Sequence, residues 1–469
     1  MTRKMCGSIA WFLLLLLASV CAAVAADVPL EVYGRLPSLE NMSISPEGTH
    51  IAFTMTTEED RFVYIVSLSD MQVQSSFALG KVKLRHIKWA DNQRVLFLTT
   101  ITDELDGFTG SEDEYAMLRV LDITTGKMEN PIHATSFFPV MNVVIDAPML
   151  REIDGDTIIY VAGIYISDYT FPALFKLNLN KGTSEVVELG GRSSRGWLVD
   201  ENGTVVASET YDNIKRLWTI SVRTGGKMVK AASGVADIER PAVSGFAPSG
   251  DAVWVADLEN SDVIWKPISL ESGLLGEALP EVRGFDSLAR NTRTGRIYGG
   301  TPVGTDSNFV FFDSKLQETW VKVQALFPGE RVDLASVSED FQRMVIVVDG
   351  HVHGYGYYLF DAVSWQFVPL GNKYSNLSII AETRSIHYTA QDGMTIPAFL
   401  TLPPAREPEN LPLVVLPHGG PASRDTANFD WWALALASSG YAVLQANFRG
   451  SDLGWKYIST GFGDWGRDM

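Results

Sequence analysis

Residues 411–425 read LPLVVLPHGGPASRD. An apolar run empties into His418-Gly419-Gly420-Pro421. Two glycines at the tip of a buried strand leave backbone N–H groups facing outward, with no Cβ in the way of an approaching group. Such donors stabilise an oxyanion, and one of them contributes roughly 3–4 kcal/mol in a transition state. The chemistry indicated is acyl transfer, which also needs a nucleophile and a base. Taken alone, HGGP also fits a tight structural turn.

The flanking residues describe the frame that would hold this loop. From Ser385, SIHYTAQDGMTIPAFLTLPP reads as a hairpin turning at Gln391-Asp392-Gly393. PAREPENLP is a polar, Pro-rich connector. LPLVVLP is short and apolar throughout, as in a parallel-sheet strand buried on both faces. TANFDWWALALASSG reads as a helix. Its apolar residues Phe429, Trp432, Leu434, Ala435 and Leu436 fall at mixed three- and four-residue steps, and Gly440 closes its C-terminus. YAVLQANF is a second buried strand, ending in Arg449-Gly450-Ser451. Strand, loop, helix, strand is the opening of an α/β domain.

Upstream, a different rule governs. A strand, a polar turn, a second strand and a third recur along the chain. SISPEGTHIAF begins at Ser43, IKWADNQRVLFL at Ile87, REIDGDTIIYVAG at Arg151 and GWLVDENGTVVAS at Gly196. SGFAPSGDAVWVAD begins at Ser244, LARNTRTGRIYGG at Leu288 and ASVSEDFQRMVIVVDG at Ala335. Within each unit apolar and polar residues alternate with period two, and Pro-Glu-Gly, Glu-Asn-Gly, Pro-Ser-Gly and Thr-Gly suit the turns. A repeat of roughly 40–50 residues predicts propeller blades. The expected fold is therefore an all-β seven-bladed propeller over 27–384, followed by the start of an α/β domain over 385–469. A sandwich pair or a β-helix is the alternative for the repeat region.

HGGPASRD, then FDWWALALASSGYAVLQANFRGSDLGW, then GFGDWGRDM resembles the start of the catalytic domain of the prolyl oligopeptidase family of serine peptidases. The likeness is nearest to its dipeptidyl aminopeptidase and acylaminoacyl-peptidase branch. That family joins an N-terminal propeller to a C-terminal α/β-hydrolase domain. The resemblance implies that Gly420 N–H lies in the oxyanion hole, with Gly419 beside it. It implies that His418 shapes the loop and is not the catalytic base. It implies that Asn447, Arg449, Gly450 and Ser451 form a turn packed beside the site. It further implies short peptide substrates, an acyl-enzyme and no cofactor or metal. Some relatives hold a substrate's free amine with propeller carboxylates; Glu112, Asp113 and Glu114 are weak candidates for that role.

The nucleophile elbow G-x-S-x-G of an α/β-hydrolase occurs nowhere in the sequence. GRSSRG at Gly191 misses the spacing and lies among the repeats. No histidine follows His418. The expectation is a fragment of a longer serine peptidase, lacking Ser, Asp and His of the triad and itself inactive. A non-catalytic exported propeller that binds a ligand is the competing class; a lipase or esterase would share the loop but not the repeats.

MTRK followed by IAWFLLLLLASV and the small residues Ala23, Val24, Ala25 and Ala26 reads as a secretory signal over 1–26. Its apolar core is too short for a comfortable membrane span, so an exported protein with no stable span after cleavage is expected. Both cysteines, Cys6 and Cys21, lie in that leader. The remainder must gain stability from core packing rather than disulfides. A net charge of −18 disfavours nucleic-acid partners. His351-x-His353 could pair on a metal, but a polar strand edge is the plainer reading. The acidic stretch 103–114 does not match a calcium loop and reads as solvated.

Overall fold

The computed structural model describes residues 29–464 and 466, apart from 104–112, 133–139, 167–169, 237–239, 260–261, 305–307, 351–352, 376, 378–380, 405 and 421. Strands dominate. Six antiparallel sheets run in chain order from residue 39 to 372. The first, third and sixth have four strands each; the fourth and fifth have three. The second has nine, covering residues 83–189, with the strand Val140–Val144 hydrogen-bonded to both of its halves. Each of the seven repeat starts falls on a successive antiparallel hairpin, such as Leu39–Ile44 with His50–Thr57, or Arg331–Val337 with Arg343–Gly350.

Burial explains why each strand has its composition. Central strands such as Asp156–Ile166 and Arg343–Gly350 are buried on both faces almost throughout, and their residues are correspondingly apolar. Outer strands such as Val73–Gly80 and Thr183–Leu189 have no fully buried residue and are richer in polar residues. The apolar clusters lie mostly between neighbouring sheets. Val63 and Ile65 of the first pack with Ile87, Trp89 and Phe97 of the second. Trp254 and Trp265 of the fourth pack with Phe285 and Ile297 of the fifth. The first sheet also meets the last: Leu39, Met42 and Ile44 pack with Val345, Val347, Tyr357 and Leu359. Ile44 N donates to Ser336 Oγ at 3.1 Å and Glu339 N to Pro46 O at 2.9 Å. Gly48 turns with φ +69° at this junction, and a Cβ there would fall 3.2 Å from Arg343 Cδ.

A helix, Ser314–Gln324, follows the fifth sheet and was not anticipated from the alternating pattern. Asp313 caps it, its carboxylate accepting from Lys315 N and Leu316 N, and Trp320 and Val323 are buried.

The seventh sheet breaks the antiparallel rule. Its order is Thr383–Thr389, Thr395–Thr401, Ala442–Ala446, Leu413–Val415. The last two strands are parallel, with Leu413 opposite Ala442 and Val415 opposite Leu444, and the helix Trp431–Ser438 lies between them in sequence. Asp430 caps that helix, and Gly440 follows its end with φ +95°. The expectation that LPLVVLP is buried on both faces is corrected here. Leu413 and Val415 are 55% and 58% exposed. Their strand is the outer one of its sheet, with a hydrogen-bonded neighbour on one side only. Trp432, expected in the helix core, is likewise exposed, while Ala433, Leu434 and Ala437 are buried.

Candidate active site

The HGGP loop leaves the C-terminal end of Leu413–Val415 and lies beside the turn that leaves Ala442–Ala446. Both strands are parallel, so both carry their loops to the same edge of the sheet. His418 and Ser451 join the two loops. His418 Nε2 lies 2.8 Å from Ser451 Oγ, and Nδ1 lies 2.7 Å from Gly419 O. A carbonyl only accepts, so Nδ1 donates to Gly419 O, and the one Ser451 hydroxyl proton is shared between Phe448 O and Nε2. Ser451 Oγ also sits 2.6 Å from Phe448 O, and the His418 ring stacks on Phe448 at 4.4 Å. The ring is thus held on both nitrogens and on one face.

That clamp fixes the two glycines. Gly420 has φ +131°, a conformation that L side chains rarely adopt, and a Cβ on it would fall 3.0 Å from Ala422 N. Gly419 faces open space. Both are exposed, and neither N–H donates a hydrogen bond among the described residues. Backbone donors of this kind, near the end of a parallel strand, are what a developing negative charge requires.

The second loop is built more firmly. Asn447 is fully buried; its Oδ1 accepts from Asp425 N at 2.8 Å and its Nδ2 donates to Asp425 O at 3.0 Å. Tyr457 Oη donates to Asn447 O at 2.7 Å. Arg449, also buried, pairs with Asp392 in the hairpin turn. Met394 N–H and Arg449 together hold the Asp392 carboxyl below its ordinary pKa. Gly450 turns with φ +85° against Gly461, whose own Cβ would fall 2.8 Å from Gly450 Cα.

Several contributors were not singled out from the sequence. Asp425 lies just past the loop, where burial pushes its carboxyl up while His418 opposes the rise. Gln445 Nε2 ties Asp425 to the helix cap Asp430, at 3.3 and 2.9 Å. Asp349, at the end of its strand in the sixth sheet, accepts from Phe429 N at 2.7 Å and so anchors the helix approach to the repeat region. Phe429 stacks on Tyr374 at 5.2 Å, and Tyr33, Ala381, Leu434 and Ala437 complete that contact. An acid at the end of an apolar strand, in VIVVDG, was the available signal for Asp349.

The other candidates separate from this site. His351 and Glu112 lie outside the described residues. His353 Nδ1 pairs with Glu330, and its ring meets Phe327 edge-on. Glu114 is bound by Arg85 and Thr100 in the second sheet. Asp113 pairs across the strand with Asp103. No group of three or more potential metal ligands occurs among the described residues, and none of their helices is long and apolar enough to cross a membrane.

No family model matches the chain. It is 22% identical over 461 residues to dipeptidyl aminopeptidase BIII of Pseudoxanthomonas mexicana, an alignment covering 92% of this chain and 62% of that protein. The chain therefore spans less than two thirds of that relative. Among solved structures, the acylaminoacyl peptidase of Pyrococcus horikoshii matches with a TM-score of 0.60 at 14% identity, over 94% of this chain and 70% of that one. A puromycin hydrolase matches with a TM-score of 0.62 at 15% identity, over 95% and 71%. At these identities the structural likeness shows the fold: the many antiparallel sheets match the propeller domain of these neighbours.

Proposed function

The homologues and structural neighbours of this chain are those of the prolyl oligopeptidase family, and on that premise we propose that it is the propeller and oxyanion-loop portion of an exported serine peptidase. Residues 39–372 make seven blades, the nine-stranded sheet counting as two. Residues 383–464 make the first strands of an α/β-hydrolase sheet. The observation that carries the reading is the pair of unspent N–H groups of Gly419 and Gly420, held open by the His418–Ser451–Phe448 clamp.

In the proposed reaction a serine attacks a peptide carbonyl, a histidine takes its proton and an aspartate orients the imidazole. The oxyanion rests on Gly420 N–H and on the N–H after the serine. The histidine gives that proton to the departing amine as the C–N bond breaks, and water then hydrolyses the acyl-enzyme, freeing the carboxylic acid and the serine. No cofactor takes part. By the family resemblance His418 positions the loop and is not the base, and its contacts to Gly419 O and Ser451 Oγ fit that role. Serine, aspartate and catalytic histidine have no counterparts among these 469 residues, so this polypeptide alone should not hydrolyse peptides. The propeller restricts entry to short peptides, and residues 1–26 direct export.

The test combines intact mass with labelling by a fluorophosphonate, which reacts with activated serines. A native product larger than residues 27–469 that takes the label supports the peptidase. An unlabelled native product of this mass refutes it and leaves a ligand-binding propeller.

A further inference from the structure

Two cavities of about 200 and 270 Å³ meet among the sheets. They share Lys88, Arg290, Asn291, Thr292 and Tyr298 as walls. Residues of the first, second, fifth and sixth sheets line the smaller one, so it sits where several sheets converge. Its position along the sheets follows from the strand Arg331–Val337. Arg331 Nη1 reaches Asn428 beside the HGGP domain, whereas Ser336 and Val337 line the cavity. A strand of this length spans ~20 Å. The cavity is therefore at the end of the sheets remote from the oxyanion loop.

Its charge is out of keeping with the molecule. The whole chain carries −18, yet Lys88 and Arg290 both face this space. Among the described residues no carboxylate pairs with either. Of the acids around it, Arg293 pairs with Glu339 and Glu152, and Glu209, which feels the Arg290 charge, accepts from Val243 N. Arg290 spends one donor on Ser244 O at 3.2 Å and has others free. Lys88 is open to the cavity space, yet enclosure by its walls, and then Arg290 beside it, draws its ammonium below its ordinary pKa. Burial pushes the Tyr298 phenol up to about 12, so it remains a hydrogen-bond donor at neutral pH.

We propose that this remote cavity is an anion site, in which Lys88 Nζ, the Arg290 guanidinium and the Tyr298 hydroxyl take the carboxylate of a small organic acid or of a peptide C-terminus. A planar carboxylate offers two oxygens that a guanidinium and an ammonium can share. The net charge of the chain disfavours multiply charged ligands such as inorganic phosphate. The site is independent of the hydrolytic reading, since it uses none of the oxyanion-loop residues.

Calorimetric titration of the chain with N-acetyltriglycine, with its C-terminal amide and with inorganic phosphate tests it. The acid should saturate one site, and the amide should bind at least about tenfold more weakly. Lys88→Met and Arg290→Met should each weaken the acid by about tenfold or more, while Lys88→Arg, which keeps the charge, should stay within about threefold of the parent. Circular dichroism confirms that each variant is folded. Equal binding of acid and amide, undiminished binding by both methionine variants, tighter binding of phosphate, or no binding at millimolar acid would each overturn the proposal.

Discussion

Asp349 offers a quantitative handle on how the repeat region holds the HGGP domain. It is 4% exposed and accepts the Phe429 N–H at 2.7 Å. Burial pushes its carboxyl from 3.8 up to about 6, with Asp333 adding to the rise; the Phe429 bond, Arg331 and Lys373 oppose it. A carboxyl with a raised folded pKa binds its proton more tightly in the folded state. Its contribution is therefore most favourable below about pH 4 and is lost as pH climbs through about 6. A rise of that size corresponds to about 3 kcal/mol disfavouring the folded, ionised form at neutral pH. Asp349→Asn keeps an acceptor for Phe429 N and removes the charge. It should raise the unfolding free energy by about 3 kcal/mol near pH 7.5 but by only about 0.5 kcal/mol near pH 4. Urea unfolding followed by tryptophan fluorescence at the two pH values measures both. An equal gain at both values would show that ionisation is not the cause. A loss at the higher pH would show that Arg331 and Lys373 need the negative charge more than burial opposes it.

Other substitutions probe the remaining joints. Arg151→Met removes a guanidinium that is 1% exposed and donates to the carbonyls of Leu150, Val199, Asp200, Thr292 and Arg293; urea unfolding should show a loss of about 3 kcal/mol or more. Ser451→Ala should cost about 1–2 kcal/mol in the same assay and release the His418 ring, visible as a changed Nε2 signal in imidazole NMR. In any labelled, longer product, Gly420→Ala should lower kcat by about 10²–10³ with little change in KM, because the loop serves the transition state. An unchanged kcat would remove Gly420 from the oxyanion hole.

The hairpins were legible because period-two alternation and Gly-containing turns are local signals, and the seven repeat starts fall on hairpins for that reason. The helix Ser314–Gln324 was readable too: Asp313 caps it, and Leu316, Trp320 and Val323 recur at four and three residues. The exposure of Leu413 and Val415 was not legible, since an apolar run states what a strand can bury and not what lies against it. In the candidate site the glycines were visible by type. The His418–Ser451 bond joins residues 33 apart and the Phe429–Asp349 bond residues 80 apart, and neither separation leaves a pattern in the sequence.

The meeting of the first and last sheets has a kinetic consequence. No strand of one sheet pairs into the other; the joint consists of side-chain packing and a few hydrogen bonds such as Ile44 to Ser336, 292 residues apart. Closing a loop of that length costs about 3 kcal/mol more chain entropy than closing a ten-residue hairpin. The seam should therefore form after the individual sheets and reopen before them. The strands that meet there contain no cysteine, so no covalent latch guards it. Hydrogen exchange should find the amides of Ile44 and Glu339 among the first of the buried strand ends to lose protection, a breathing motion that parts the ring without unfolding any sheet.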